Sequence, residues 1–226
     1  KGELLYEGKA KRVYATSDPH RVVIEHKDDA TALNAQKRGR IEQKGVLNNA
    51  ISARIFELLI QRGLPTHYIQ RLSDRETLAW KVEIIPLEVV VRNIAAGSLS
   101  TRLGLVEGTP LPFPVIEFYY KNDALQDPLV NRSHVRVLGL ASDAEMDELS
   151  RLALRVNEEL RQALEPAGLV LVDFKLEFGR RGEAIVVADE ISPDTCRFWD
   201  RSSGEKLDKD RFRRDLGGVA EAYREV

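Results

Sequence analysis

The stretch from Val170 to Asp194 restricts the fold most. Over Val170–Phe178 the residues alternate, with Val170, Val172, Phe174, Leu176 and Phe178 in one phase and Asp173, Lys175 and Glu177 in the other. Side chains alternate between the two faces of a strand, so the pattern predicts a strand with one apolar and one charged face. Gly179-Arg180-Arg181-Gly182 reads as a turn, Ala184–Ala188 as a returning strand, and Asp189-Glu190 follows it. An antiparallel hairpin with acids at its inner ends suits a divalent cation, because magnesium takes one or two carboxylates and completes its shell with phosphate oxygens and water. Lys175, between two carboxylates, adds an ammonium that attracts phosphate. The acid that joins Glu177 depends on register, since a slip of one residue exchanges Asp189 for Glu190. Alternating Asp, Lys and Glu also describes a solvated, salt-bridged hairpin face, which is the commoner use of so short a pattern. The continuation Ser192-Pro193-Asp194-Thr195-Cys196-Arg197 favours a site, because it places further carboxylate and anion-binding groups beyond the second strand.

Elsewhere strands and helices mix without the regular strand–helix alternation of a doubly wound fold. Leu4–Tyr6, Arg12–Ala15 and Arg21–His26 read as strands, with a tight turn allowed by Gly8. Asp28–Lys44 is polar, lacks an apolar period and reads as a loop. In Leu47–Arg62 the residues Leu47, Ile51, Ile55, Leu58 and Leu59 recur at helical spacing. Strand-like runs follow at Thr66–Arg71, Thr77–Ile85 and Leu87–Asn93, with Pro86 separating the last two as a hinge. Ser98 is placed to cap a short helix ending at Gly104, and Val115–Tyr120 reads as strand. Ser142 and Glu145 form a capping box for a helix that carries Met146, Leu149, Leu152, Val156 and Leu160. A final helix is predicted from near Asp208, with Phe212, Leu216, Val219 and Tyr223 on one face. Short antiparallel sheets with helices on one side make an α+β class.

Charge and cysteine content narrow the function classes. A net charge of −2 gives no bulk field favouring nucleic acid or an acidic membrane. No apolar run approaches the roughly 20 residues that span a bilayer. Cys196 is the one cysteine, which excludes an internal disulfide and fits a reducing compartment. The expectation is a soluble, intracellular enzyme with no nucleic-acid or membrane partner.

Other segments carry weaker signals. Gly8-Lys9-Ala10-Lys11 lies between two strands, where backbone amides and lysines cover a triphosphate in kinase-like glycine-rich loops; taken alone, the segment is better read as an ordinary basic hairpin tip. It is no Walker A motif, which needs a following helix. Arg92 and Asn93 end a strand, and Ala95-Ala96-Gly97-Ser98 lets backbone approach a phosphate or carboxylate; an exposed arginine and a helix cap is the competing reading. Lys121-Asn122-Asp123, Asp127-Pro128 and Asn131-Arg132 form a polar, turn-rich cluster. The histidines at 20, 26, 67 and 134 share no zinc-ligand spacing, and Cys196 has no base partner in the sequence. Arg38-Gly39-Arg40 lacks the interleaved aromatics of a nucleic-acid site.

In order along the chain, Tyr6–Lys11, Lys27–Thr31, Lys44–Asn49, Val90–Ser98, Lys121–Asp123, Val172–Gly179, Asp189–Asp194 and Leu207–Arg213 closely resemble the SAICAR synthetase family over essentially the whole length. The resemblance implies a kinase-like N-terminal antiparallel-sheet lobe (residues 1–86) that binds ATP, packed on an ATP-grasp-like C-terminal lobe (residues 87–226). It implies an ATP-dependent ligase of purine biosynthesis, cytoplasmic and homodimeric. Such an enzyme joins the carboxylate of carboxyaminoimidazole ribonucleotide (CAIR) to the amine of L-aspartate through an acyl phosphate. Gly8, Lys9, Ala10, Lys11, Lys81, Glu83 and Ile85 would bind ATP. Glu177 and Asp189 would hold Mg2+, a choice between Asp189 and Glu190 that comes from the resemblance. Arg92, Ser98 and Arg197 would bind CAIR with Asp127 and Asp194 nearby. Asp173, Lys175 and Lys11 would serve the reaction. Lys37, Arg38 and Arg213 are candidates for the aspartate carboxylates. Gln126 and Thr195-Cys196 depart from the usual family pattern and touch only local substrate contacts. A small-molecule kinase and an RNA-binding module using residues 37–44 are the alternative functions.

Overall fold

The computed structural model describes residues 1–32 and 37–226. From the N-terminus these form β1 (Leu4–Glu7), β2 (Lys11–Ala15), β3 (Arg21–His26), β4 (Asp29–Ala32), β5 (Lys37–Arg40), α1 (Lys44–Gln61), β6 (Tyr68–Arg71), β7 (Glu76–Trp80) and β8 (Glu83–Ile94). There follow α2 (Gly97–Leu103), β9 (Pro110–Tyr120), β10 (Leu129–Val130), α3 (Arg132–Leu138), α4 (Asp143–Leu164), β11 (Leu169–Arg181), β12 (Ala184–Ala188), β13 (Cys196–Asp200), α5 (Asp210–Arg213) and α6 (Val219–Glu225). One sheet has the order β1-β2-β3-β7-β6, and a second has the order β10-β9-β8-β11-β12, with β13 also paired to β11. The ladders within both are antiparallel, which is the α+β arrangement expected.

The larger core lies on one face of the second sheet. Val89 and Val91 of β8 and Phe174, Leu176 and Phe178 of β11 meet Met146, Leu149, Leu152, Val156 and Leu160 of α4, together with Phe56 and Leu59 of α1. Burial of each such side chain contributes about 1.5–3 kcal/mol. The α4 start follows the sequence reading: Ser142 Oγ accepts from Glu145 N, and Glu145 Oε2 accepts from Ser142 N. The opposite face of the same sheet, not needed for the core, carries the charged residues.

Several local expectations are corrected. The alternation of β11 does not run unbroken from Val170. Leu171 pairs with Phe198 and Asp173 with Arg197, so Val172 is an extra residue at a bulge, and Leu169 and Leu171 share the core with Phe174, Leu176 and Phe178. Asn93 stabilises this point: its amide donates to Leu171 O at 3.2 Å and exchanges hydrogen bonds with the Asn157 amide. Pro86 does not divide two strands. It lies inside β8 where the β8–β11 register shifts, and its carbonyl accepts from Lys121 N at 3.0 Å. The chain instead leaves the first sheet at Lys81-Val82, and Val82 crosses over Gly179 so closely that a Cβ there would stand 2.3 Å from Val82 Cγ2.

Asp28–Lys44 is not simply a loop, because β4 and β5 pair as a polar hairpin; residues 33–36 lie outside the described residues. The helix after Ala96 is capped by Ala96 itself, with Ser98 inside its first turn, which frees the Ser98 hydroxyl for Arg92. The predicted final helix is two short ones, α5 and α6, interrupted at Gly217 and Gly218, both at positive φ. Among the described residues no helix is long and apolar enough to cross a membrane.

Candidate active site

Register places the charged residues of three strands on one face. Glu177 stands opposite Glu88, Lys175 opposite Val90, and Asp173 opposite Arg92; on the other side of β8, Val90 faces Glu117 and Glu88 faces Tyr119. Like charges directly opposite are unfavourable, and two lysines separate them. Lys175 donates to Glu88 at 2.6 Å and approaches Glu177 at 3.9 Å, and Lys121 donates to the other Glu177 oxygen.

The first sheet contributes Lys11, the first residue of β2, which ion-pairs with Asp189 and, at 3.0 Å, with Glu190. Burial alone would depress the Lys11 ammonium, but Asp189 and Glu190 outweigh it and hold its pKa above the ordinary value. The same pairing keeps Asp189 ionised well below the usual carboxylate range despite burial. Glu177 is pushed up, first by burial and then by the Asp189 charge. Two neighbouring carboxylates, one buried and one half-buried, that raise the cost of keeping both ionised are a donor pair suited to a divalent cation. Among the described residues no trio of His, Cys, Asp or Glu converges, so a cation held here would complete its shell with phosphate oxygens and water, as magnesium prefers.

The two acids after β12 differ in commitment. Glu177 pairs in register with Ala188, and Asp189 then turns at φ 63°. Glu190 points into the protein, where Ser192 Oγ donates to it at 2.8 Å and His26 Nδ1 stands 4.0 Å away. His67 Nε2 lies 3.1 Å from the Asp189 carbonyl. Burial pushes both His26 and His67 down to about 4.

Beside this cluster, Asp173 lies between two guanidinium groups. Arg92 donates to Glu117 at 2.7 Å, to Asp173 at 2.9 Å and to Ser98 Oγ at 2.9 Å. Arg197 donates to Asp173 at 2.9 Å and to Asp210 at 2.9 Å. Arg102 adds a third guanidinium, bonded to Glu117 and, at 3.0 Å, to Tyr119. Gly97, at φ 53°, sits under Arg197, where a Cβ would be 2.4 Å from Nη2. A hydroxyl and guanidinium groups gathered in this way suit a phosphate.

The remaining predicted residues are placed as follows. Asp194 accepts from Lys44 Nζ and from Tyr223 OH, both at 2.6 Å, so α1 and α6 meet at it. Asp127 closes a turn, accepting from Asn122 N at 2.7 Å with Gln126 and Asp127 both at positive φ. Lys9 pairs with Asp123 at 2.8 Å, and Gly8 N donates to Lys11 O at 2.8 Å. Gly8 is not at positive φ; glycine leaves room for the Tyr6 ring, 3.1 Å from where a Cβ would stand. The Ala10 carbonyl accepts from Lys27 N at 2.7 Å. Lys81, Glu83 and Ile85 do not join the cluster through side-chain contacts: Lys81 is exposed, Glu83 bonds Arg180 at 2.8 Å, and Ile85 is in the core. Lys37 bonds Phe212 O and Asp215, and Arg213 bonds Asp210 at 2.7 Å.

Sequence reasoning passed over Glu88, Glu117, Tyr119, Lys44 and His67. Three of them had a usable signal, since Glu88-x-Val90-x-Arg92 and Glu117-x-Tyr119-x-Lys121 repeat the two-residue period of β11.

Comparison with known proteins identifies the family of the chain. The profile of the SAICAR synthetase family matches residues 4–226. Phosphoribosylaminoimidazole-succinocarboxamide synthases of Brevibacillus brevis and Desulfitobacterium hafniense are 61% and 58% identical, each over 100% of this chain and 95% of the relative. The crystal structure of the Ehrlichia chaffeensis synthase superposes with a TM-score of 0.96 at 47% identity, covering 99% of this chain and 96% of that one. A SAICAR synthetase in complex with ADP superposes with a TM-score of 0.95 at 49% identity, covering 99% and 95%. The chain belongs to the SAICAR synthetase family.

Proposed function

We infer that the chain catalyses ATP-dependent condensation of CAIR with L-aspartate, giving SAICAR, ADP and phosphate in purine biosynthesis. It is a carbon–nitrogen ligase. The observation that carries the reading is the convergence of Lys11, Lys121, Lys175, Glu177 and Asp189 on one sheet face, next to the Arg92–Asp173–Arg197 group. ATP use is supported by the ADP complex of a synthetase 49% identical to this chain.

In the division of labour we propose, residues 1–86 bind ATP and residues 87–226 carry CAIR and the cation. Glu177 and Asp189 hold Mg2+, which supplies neutralising charge to phosphoryl oxygens. Arg92, Ser98 and Arg197 hold the CAIR phosphate end, and Asp173 fixes both guanidinium groups. A carboxylate is a poor acyl donor because oxide would have to leave. Its oxygen therefore attacks the γ-phosphorus of ATP, the bond to the β-phosphate oxygen breaks, and ADP departs. The aspartate amine attacks the resulting acyl phosphate, loses a proton, and expels inorganic phosphate as the amide forms. Lys11 and Lys175 stabilise charge on the phosphoryl oxygens and align the in-line transfer, which is mostly positioning and electrostatics. Glu88 and Glu177 keep the Lys175 ammonium charged: burial opposes its protonation, and the two carboxylates reverse that effect. Cys196 takes no part, since burial pushes its thiol far above the usual range.

The test is ADP release by the purified protein with ATP, magnesium and CAIR, with and without L-aspartate. The ligase reading expects release of ADP and phosphate that depends on aspartate, and an equimolar SAICAR product. Release that needs CAIR but ignores aspartate would instead make the chain a small-molecule kinase.

A further inference from the structure

Asp189 adopts φ 63°, a left-handed conformation that costs a non-glycine residue about 1–2 kcal/mol and persists where the surroundings impose it. The surroundings here come from the other half of the chain. Val187, two residues earlier, donates to Pro65 O at 2.9 Å and accepts from His67 N at 2.9 Å, so residues 65–67 run alongside the end of β12. The His67 carbonyl is also engaged, accepting from Trp80 N at 2.7 Å. With its backbone held on both sides, His67 brings Nε2 to 3.1 Å from the Asp189 carbonyl. A carbonyl only accepts, so Nε2 carries the hydrogen and donates. The imidazole is 4% exposed and tilted against Phe56 at 5.3 Å between ring centroids, which leaves it no room to swing away.

We propose that His67 is a positioning residue: its Nε2–H locks the Asp189 peptide in the left-handed conformation and so aims the Asp189 carboxylate at Lys11 and towards Glu177. The inference rests on the reading of Glu177 and Asp189 as cation ligands and adds to it a residue that touches neither cation nor substrate. It makes the geometry of the second-strand acid depend on the segment that joins α1 to the first sheet.

The test compares two substitutions of similar volume. His67→Gln keeps an N–H donor within reach of the carbonyl, whereas His67→Met fills the space and cannot donate. His67→Asn, polar but too short to reach, is a further variant expected to behave like His67→Met. Mn2+ binding in the presence of ADP, followed by electron paramagnetic resonance, reads the site without turnover. We expect His67→Met and His67→Asn to weaken Mn2+ affinity by about 10-fold or more, the usual effect of losing a group that orients a ligand, and His67→Gln to recover most of it. Thermal stability should fall by similar amounts in the Met and Gln variants, which separates orientation of Asp189 from packing. Wild-type affinity in the Met or Asn variant, or equal loss in Met and Gln, would overturn the inference alone. Failure of the wild-type protein to bind Mn2+ with ADP would overturn the cation reading and the inference together.

Discussion

Both carboxylate oxygens of Asp173 accept from Arg197 Nη1, at 3.1 and 2.9 Å, across the β11–β13 ladder just after the bulge. The bulge matters to this contact: the extra residue at Val172 brings Asp173, and not Val172, opposite Arg197. Arg92 reaches the same oxygen from β8, so one buried carboxylate offsets two guanidinium groups. Removing one member of a buried ionic group leaves uncompensated charge and costs about 3–5 kcal/mol. Asp173→Asn is therefore expected to lower unfolding free energy by several kcal/mol, read as a fall in the urea midpoint, and to weaken CAIR binding. An unchanged midpoint would show that Glu117 and Asp210 suffice for the two arginines.

Glu177→Gln should behave in the opposite way. Glu177 is pushed up by burial and by Asp189, so its charge is unfavourable in the protein without a cation. The substitution is expected to leave thermal stability near wild type and to reduce magnesium-dependent ATP turnover by about 100-fold, a loss comparable to that of other transition-state contacts. Steady-state kinetics against magnesium concentration check this, and wild-type turnover would remove Glu177 from the site.

Gly97→Ala tests the support beneath Arg197. A methyl group there meets the guanidinium at 2.4 Å, and alanine at φ 53° is strained as well. The expected outcome is a raised KM for CAIR, with a smaller change in KM for ATP. Equal changes in both would point to general loosening.

Asp208 gives a prediction for pH. Its oxygens accept from Phe198 N at 3.0 Å and Asp210 N at 2.8 Å, yet burial dominates and pushes its carboxyl up to about 7 from an ordinary value of 3.8. The folded chain thus holds this proton more tightly than the unfolded chain does. Its contribution to stability is complete below pH 3.8 and is lost as pH rises towards 7. Asp208→Asn cannot titrate, so the decline in urea midpoint between about pH 5 and pH 8 should be shallower than in wild type. Parallel slopes for the two proteins would count against it.

What the sequence disclosed follows the range of the forces involved. The α4 helix and its Ser142–Glu145 box were legible because a cap and an apolar stripe are local chemistry. The charged phase of β11 was legible for the same reason. The bulge at Val172 was not, because Asn93 and Asn157, distant in the chain, supply the hydrogen bonds that stabilise it. Pro86 read as a break because a proline removes a donor, but the register shift in β8 means that no donor is missed there. The β4–β5 hairpin escaped notice because it has no apolar alternation to reveal it. In the site, Asp173, Glu177, Asp189 and Asp194 were found with Arg92, Arg197 and Lys11, while Glu88, Glu117 and other groups that hold these side chains in place were not. Lys44 and Tyr223 reach Asp194 from opposite ends of the chain, and His67 reaches a carbonyl and not a charge.

The placement of α1 has a consequence for how the molecule is assembled. Phe56 and Leu59 belong to the core built around β8, β11 and α4, whereas the buried cluster special to the first sheet is Val22, Ile24 and Ala79, with Val13 against it. So small a cluster offers little to offset the chain entropy of five strands. The N-terminal sheet thus borrows its stability from the other sheet, chiefly through the shared helix and also through the hydrogen bonds of residues 65–67 to Val187. A fragment ending at residue 86 should remain unstructured in isolation, and the two halves should melt together as one cooperative unit.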